Sequence, residues 1–211
     1  MLMRDVMTMN VVTIPSSTSL ADARRIMEAH RFRRLPVVDR GVLVGLVTRD
    51  ALDRAGPSKL TTFSMHEISS LLNKITVKEV MARDPVTVSA DATAEEAVAL
   101  AQEKKIGSLL VVDNGKLVGI ATTNDFFYKL LNPLLGIGKP GSRLVVRNCG
   151  GGKDIEKVLA TVNRLGMELT TMFFNSDPDE RSLILHVGSE DPGTLIDELR
   201  KLGCSVERRA R

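Results

Sequence analysis

VVDRGVLVGLVT, residues 37–48, and VVDNGKLVGIAT, residues 111–122, carry one pattern twice, with Val37 and Val111 standing 74 residues apart. Each half reads as a hairpin: an apolar strand, a two-residue turn and a second apolar strand. Arg40-Gly41 and Asn114-Gly115 occupy the turns. Asn-Gly is favoured there because both positions of a tight hairpin turn need positive φ. The match extends outward at the same offset. Val6-Met7 pairs with Val80-Met81, Val12-Thr13 with Val86-Thr87, Ala23 with Ala97, Leu35 with Leu109 and Gly45 with Gly119. The chain therefore holds an internal repeat, which has to be read before any fold is assigned.

In each copy a short apolar segment, NVVTI (10–14) or DPVTV (84–88), leads through a polar turn to a helix opening at Ser19 or Thr93. Thr93 and Glu96 have the spacing of a capping box. Leu20, Ala23, Met27 and His30 recur at helical spacing and define one face, as do Ala94, Ala97 and Ala101. The hairpin follows, and a second helix follows the hairpin. The unit is β-α-β-β-α, about 50 residues long, too small to cover the apolar face of its own sheet. Two copies packed sheet to sheet solve that problem and leave matching clefts between pseudo-twofold halves.

Composition bounds the functions available. With 43% hydrophobic and 26% charged residues over 211 positions, the chain is globular rather than disordered. Its 29 basic and 26 acidic residues leave a net charge of +3, and one Tyr, six Phe and no Trp give few stacking surfaces. Nucleic acid is thus not an expected partner. Asp113 and Lys116 interrupt the best apolar run before it reaches the roughly 18 residues of a membrane helix. The first ten residues lack a secretory layout, and the expectation is a soluble, cytoplasmic protein. Cys149 and Cys204 cannot form a disulfide framework or a zinc site of usual spacing, and read as small buried side chains. His30, His66 and His186 are scattered, and neither G-x-S-x-G nor H-E-x-x-H occurs. No metal, catalytic cofactor or enzyme activity is expected.

The doubled pattern, V-M, a short T-V segment, then L-P/L-V-V-D-x-G-x-h-h-G-h-h-T with a helix behind it, closely resembles a tandem cystathionine beta-synthase (CBS) domain pair over residues 3–132. In that family G-h-h-T/S-x-x-D is the adenosine-nucleotide signature, matched here by Gly119, Ile120, Thr122 and Asp125. The resemblance implies a ribose on Asp125, beside Thr123, and an adenine between apolar strand residues. It also implies a cleft bordered by Thr13, Pro36, Thr48, Val88, Gly107, Ser108 and Leu109. AMP, ADP, ATP or S-adenosylmethionine would be the regulatory ligand, and face-to-face pairing implies a homodimer. Capping is the plainer role of Thr122 and Asp125, since both types favour helix N-termini.

The first copy departs from this signature. It reads Thr48-Arg49-Asp50-Ala51, so Ala51 takes the aspartate position and Asp50 is rotated by about 100° on the helix, away from the groove. One intact site is expected. The first copy also holds Arg31-Phe32-Arg33-Arg34 before its strand. Alternation in a strand would put Arg31 and Arg33 on one face and Arg34 on the other. The cluster is either a solvated basic edge or a phosphate contact in which Arg33 or Arg34 meets a nucleotide held by Asp125.

The unrepeated third follows a helical stretch ending at Pro133 and a Gly/Pro-rich linker. It reads β-α-β-β-α-β, the split β-α-β order of ferredoxin-like domains. The whole chain is α+β, with CBS repeat 1 at 1–60, a connector at 61–76, CBS repeat 2 at 77–132, a linker at 133–141 and a third domain at 142–211. Gly150-Gly151-Gly152 between its first strand and helix makes the last domain similar to ACT domains, which often bind amino acids at this loop. Asn148 and Gly150 stand where that family has Asp and Pro. The tract is no P-loop, because Arg147 replaces the first glycine and Asp154 the Ser/Thr. First and last strands of this topology lie side by side, which would bring Cys149 near Cys204. A CBS pair joined to an ACT-like domain at this length resembles acetoin utilization proteins of the AcuB type. The leading expectation is a non-enzymatic sensor, its adenosine ligand read through packing and relayed to an unidentified regulated protein. Alternatives are an interaction module with side-chain-filled clefts that recruits a metabolic enzyme, an amino-acid sensor acting through the ACT-like domain, and a subunit or remnant of a nucleotide-using enzyme.

Overall fold

The computed structural model describes residues 1–55, 72–148, 152–175 and 181–209. Residues 176–180, most of the connector with His66, and Cys149, Gly150 and Gly151 lie outside the described residues. The chain divides into two compact units, Met1–Lys129 and Leu130–Arg211.

In the first unit the repeat is visible in the backbone, except that the first strand expected at 10–14 is reduced to a single bridge between Ile14 and Val37. Helix α1 (Met3–Val6) precedes α2 (Leu20–Ala29), hairpin β1 (Arg34–Asp39) and β2 (Val42–Thr48), and α3 (Arg49–Ala55). The second copy runs α4 (Val77–Val80), β3 (Thr87–Ser89), α5 (Ala94–Glu103), β4 (Ser108–Asp113) and β5 (Lys116–Thr122). Both hairpins bulge at equivalent places, Val37/Val38 and Val111/Val112. Both turns take positive φ at each central residue, Arg40-Gly41 and Asn114-Gly115, as a tight hairpin turn demands. The helix starts are capped as the sequence predicts. Ser19 Oγ accepts from Asp22 N at 3.1 Å, while Thr93 Oγ1 accepts from Glu96 N and Glu96 Oε2 from Thr93 N. Leu20, Ala23 and Met27 are buried. His30 is not on that face; it caps the helix C-terminus, exposed, with its ring stacked on Phe32.

The segments before the repeats are exchanged. Residues 2–8 pair with the second copy: Met3 N donates to Ala92 O at 2.8 Å, and Thr8 and Ile120 exchange both backbone hydrogen bonds. Ala82 and Leu46 do the same on the first copy. Met3 is consequently buried with Ala97, Leu109, Val111 and Ala121, whereas Val77 joins Leu20, Met27, Leu35, Val37 and Val47. Each copy of V-M thus completes the core of the other copy. Gly45 and Gly119 are the contact points. A Cβ at Gly45 would meet Met81 Sδ at 2.7 Å and Ala82 O at 2.8 Å, and one at Gly119 would collide with Met7. The hairpins themselves meet through β2 and β5.

After β5 the chain forms a turn of helix, α6 (Thr123–Asp125), a π-helical stretch (Phe126–Leu131) and α7 (Asn132–Leu135). Helix therefore does not stop at Pro133. Proline is tolerated there because the first turn of a helix needs no N–H from it, and the αL residue Gly136 ends the helix.

The second unit contains β6 (Ser142–Arg147), α8 (Gly152–Arg164), β7 (Leu169–Asn175), β8 (Ser182–Val187), α9 (Gly193–Lys201) and β9 (Ser205–Arg209). Its antiparallel sheet has the order β7-β8-β6-β9, the split β-α-β arrangement. Leu144, Val146, Leu183, Leu185 and Val187 pack with Val158, Val162, Leu195 and Leu199 of the helices. Period-two alternation sends Arg143, Val145, Ile184 and His186 to the other face. Cys204, just before β9, is buried.

Candidate functional site

The first unit contains a cleft of about 450 Å³ between the repeats. Three pieces build it: the exchanged segment with Thr8, Asn10, Val11 and Val12; the first copy with Arg31 to Arg34; and the second copy with Gly107, Ile120 and Thr122 to Asp125. Asp125 stands at its polar corner, positioned by the start of α6. Its Oδ2 accepts from Thr122 N at 2.9 Å and from Thr122 Oγ1 at 2.7 Å. Its Oδ1 accepts from Thr8 Oγ1 at 2.7 Å and pairs with Lys129 Nζ at 2.9 Å. Lys129 also donates to Met7 O and Thr8 Oγ1. Burial pushes the Asp125 carboxyl upward in pKa, but donors from Thr122, Lys129 and Thr8 outweigh it and hold the group below the usual aspartate range. The capping role read from sequence is real, and the same carboxylate borders the cleft.

The first copy has no counterpart to this cluster. At the repeat offset Asp125, Lys129 and Thr8 correspond to Ala51, Ala55 and Ala82. Three polar groups are replaced together by methyls, so the pseudo-symmetric position can neither hold a diol nor clamp the crossing segment. Thr48 Oγ1 there accepts from Ala51 N at 3.2 Å as a simple cap. Asp50 faces outward, about 70% exposed, 3.9 Å from Arg33 Nη2.

The arginine cluster differs from the strand expected. Arg31 has φ of 56° and β1 starts only at Arg34, so residues 31–33 turn rather than alternate. That turn lets Arg31, Phe32, Arg33 and Arg34 all line the cleft. Arg34 crosses to the second copy, where a Cβ at Gly107 would lie 3.0 Å from its Nη2. The cleft brings together Arg33, Arg34, Gly107, Ile120, Thr122, Thr123 and Asp125 of the expected residues. Thr13, Pro36, Thr48, Val88, Ser108, Leu109 and Gly119 are not among its lining. Leu109 is core, Thr13 is exposed, and Gly119 gives its space to Met7. Thr8 and Lys129 went unread. Their signal was the paired loss of Thr8, Asp125 and Lys129 against three alanines, which only makes sense once segment exchange is known.

Of the glycine-rich segment expected to bind an effector, Asn148 takes φ of 62° and Gly152 opens α8. Among the described residues no helix is long and apolar enough to cross a membrane, and no three His, Cys, Asp or Glu side chains are grouped to hold a metal.

Two copies with exchanged segments enclose one polar-cornered cleft. The family model for the CBS domain matches residues 3–57 and 77–132, and the chain belongs to that family. It resembles a candidate acetoin utilization protein (AcuB) from Vibrio cholerae, at 34% identity and a TM-score of 0.53, over 63% of this chain and 91% of that one. The CBS pair of protein MJ0100, in complex with 5′-methylthioadenosine and S-adenosyl-L-methionine, is 27% identical with a TM-score of 0.50, over 60% of this chain and 93% of that one. CBSX2 in complex with AMP is 29% identical with a TM-score of 0.51, over 62% and 96%. An inosine-5′-monophosphate dehydrogenase of Korarchaeum cryptofilum is 36% identical over 59% of this chain, and the match spans only 23% of the length of that enzyme.

Proposed function

We propose that the protein is a non-enzymatic sensor that binds one adenine nucleotide in the inter-repeat cleft. The observation that carries this reading is the joint placement of Asp125 and Arg31, Arg33 and Arg34 around a single cavity. A ribose diol donates to Asp125 Oδ1, competing with Thr8 and Lys129 for it. The guanidinium forks suit phosphate oxygens, and Val11, Val12 and Ile120 offer apolar contact for a base. Relatives of the same fold bind AMP or adenosyl compounds, and S-adenosylmethionine is the second reading, in which the arginines stay solvated. Only the second copy supplies a ribose site, so the stoichiometry is one per chain.

The same reading supplies a relay. Lys129 ties Asp125 to the backbone of Met7 at the start of the π-helical stretch, and π segments concentrate at functional sites. A ligand that takes Oδ1 releases this tie and alters the path into the second unit. We assign that unit as a ferredoxin-like, ACT-type domain with an effector loop at Asn148 and Gly150 to Gly152, open to an amino acid, and the assembly as a cytoplasmic homodimer acting on a regulated protein.

Thermal melting against AMP, ADP, ATP and S-adenosylmethionine tests the assignment. A nucleotide at 100 times its dissociation constant adds about 2.7 kcal/mol to stability. Asp125→Ala abolishes the shift, and Arg33→Ala with Arg34→Ala weakens ATP more than S-adenosylmethionine. An unchanged shift in Asp125→Ala refutes the site.

A further inference from the structure

The second unit has its own cavity, of about 440 Å³, on the sheet face turned away from the helices, lined by residues 136–141, Arg143 and His186. Residues 136–141 form a strap over that face. Arg143 donates to Leu135 O at one end of it, and Gly141 N donates to Glu190 Oε1 at 3.2 Å at the other. Between these anchors His186 presses so closely on Gly136 that no side chain fits there.

His186 is 4% exposed, yet its Nδ1 has no hydrogen-bond partner. Thr171 stands opposite His186 on the neighbouring strand, and its buried Oγ1 also lacks a partner. On the other flank His186 pairs in register with Arg143. The row Thr171, His186, Arg143 thus places two unsatisfied polar atoms and a guanidinium side by side beneath the strap. Unsatisfied buried polar atoms are rare and each costs about 1–3 kcal/mol. Arg143 has spent one Nη on Leu135, and a guanidinium carries five N–H donors.

We propose that this cavity is a second ligand site, separate from the nucleotide cleft, for a small carboxylate. The Arg143 fork matches a carboxylate in two parallel hydrogen bonds, and the His186 ring donates a third. Ile137 and Pro140 supply apolar wall for a short carbon skeleton. Its volume lies within the range of ligand pockets, and the short stretch of apolar wall suits a compound of a few carbons.

The test is an NMR titration of the full-length protein labelled with 15N-histidine, His186 being assigned by His186→Gln. Propionate and succinate are the probes, with inorganic phosphate at matched ionic strength as control. A saturable shift of the His186 ring nitrogens with a carboxylate, absent at exposed His30, is expected. It weakens roughly tenfold in Arg143→Gln and in Arg143→Lys, which keeps charge but not the fork, and persists in Asp125→Ala. No saturable response at His186 to either carboxylate, or an equal response to phosphate, overturns the proposal. So does undiminished binding by Arg143→Lys.

Discussion

Asp125 shows how one carboxylate serves both capping and clamping through two oxygens, leaving it at the edge of the cleft. Its pKa is held below the ordinary aspartate value by donors that outweigh burial. A depressed folded-state pKa means that its stabilisation is present at neutral pH and is lost as pH falls through the folded value. The melting temperatures of the native protein and Asp125→Asn should therefore differ by a constant amount from neutrality down to the usual aspartate range. They should converge only at still lower pH, and convergence already near pH 6 would contradict the donor geometry. His186 makes the opposite case, a buried ring whose Nδ1 has no partner. His186→Leu removes that unsatisfied atom and should raise stability by about 1 kcal/mol in urea denaturation, even as it removes a donor from the second cavity.

At the scale of elements, the exchanged segments give two glycines unequal tolerance. Alanine at Gly45 meets the backbone oxygen of Ala82, which is fixed by its hydrogen bond to Leu46 N. Alanine at Gly119 meets only the Met7 side chain, which is flexible and can repack. Gly45→Ala should cost about 1–3 kcal/mol, and Gly119→Ala less, as read by urea denaturation. Equal costs would mean that the crossing segments yield as easily by backbone as by side chain. The hairpin turns, bulge positions and helix caps of the two copies agree because each is set by a few adjacent residues.

Across the molecule, neither repeat holds a complete core of its own. Val77, Val80 and Met81 fill the first copy from beyond its end, and Met3 has left it for the second. A fragment of residues 1–57 should consequently be unfolded by circular dichroism, whereas residues 1–132 form one cooperative unit. A folded short fragment would show that exchange is dispensable.

Repetition, the two hairpins, the capped helices and the β-α-β-β-α-β order of the last third were all legible in the sequence, because periodicity, turn chemistry and caps operate over a few neighbouring residues. The cap formed by Thr122 and Asp125 was legible for the same reason. Tertiary structure decided the rest: the crossing of residues 2–8 onto the second copy, the turn that aims Arg31 to Arg34 into one cleft, and the strap over His186. Thr8 reaches Asp125 across 117 positions, and no local propensity encodes such a distance. Packing does, since each small sheet buries its apolar face only by taking a segment from its twin.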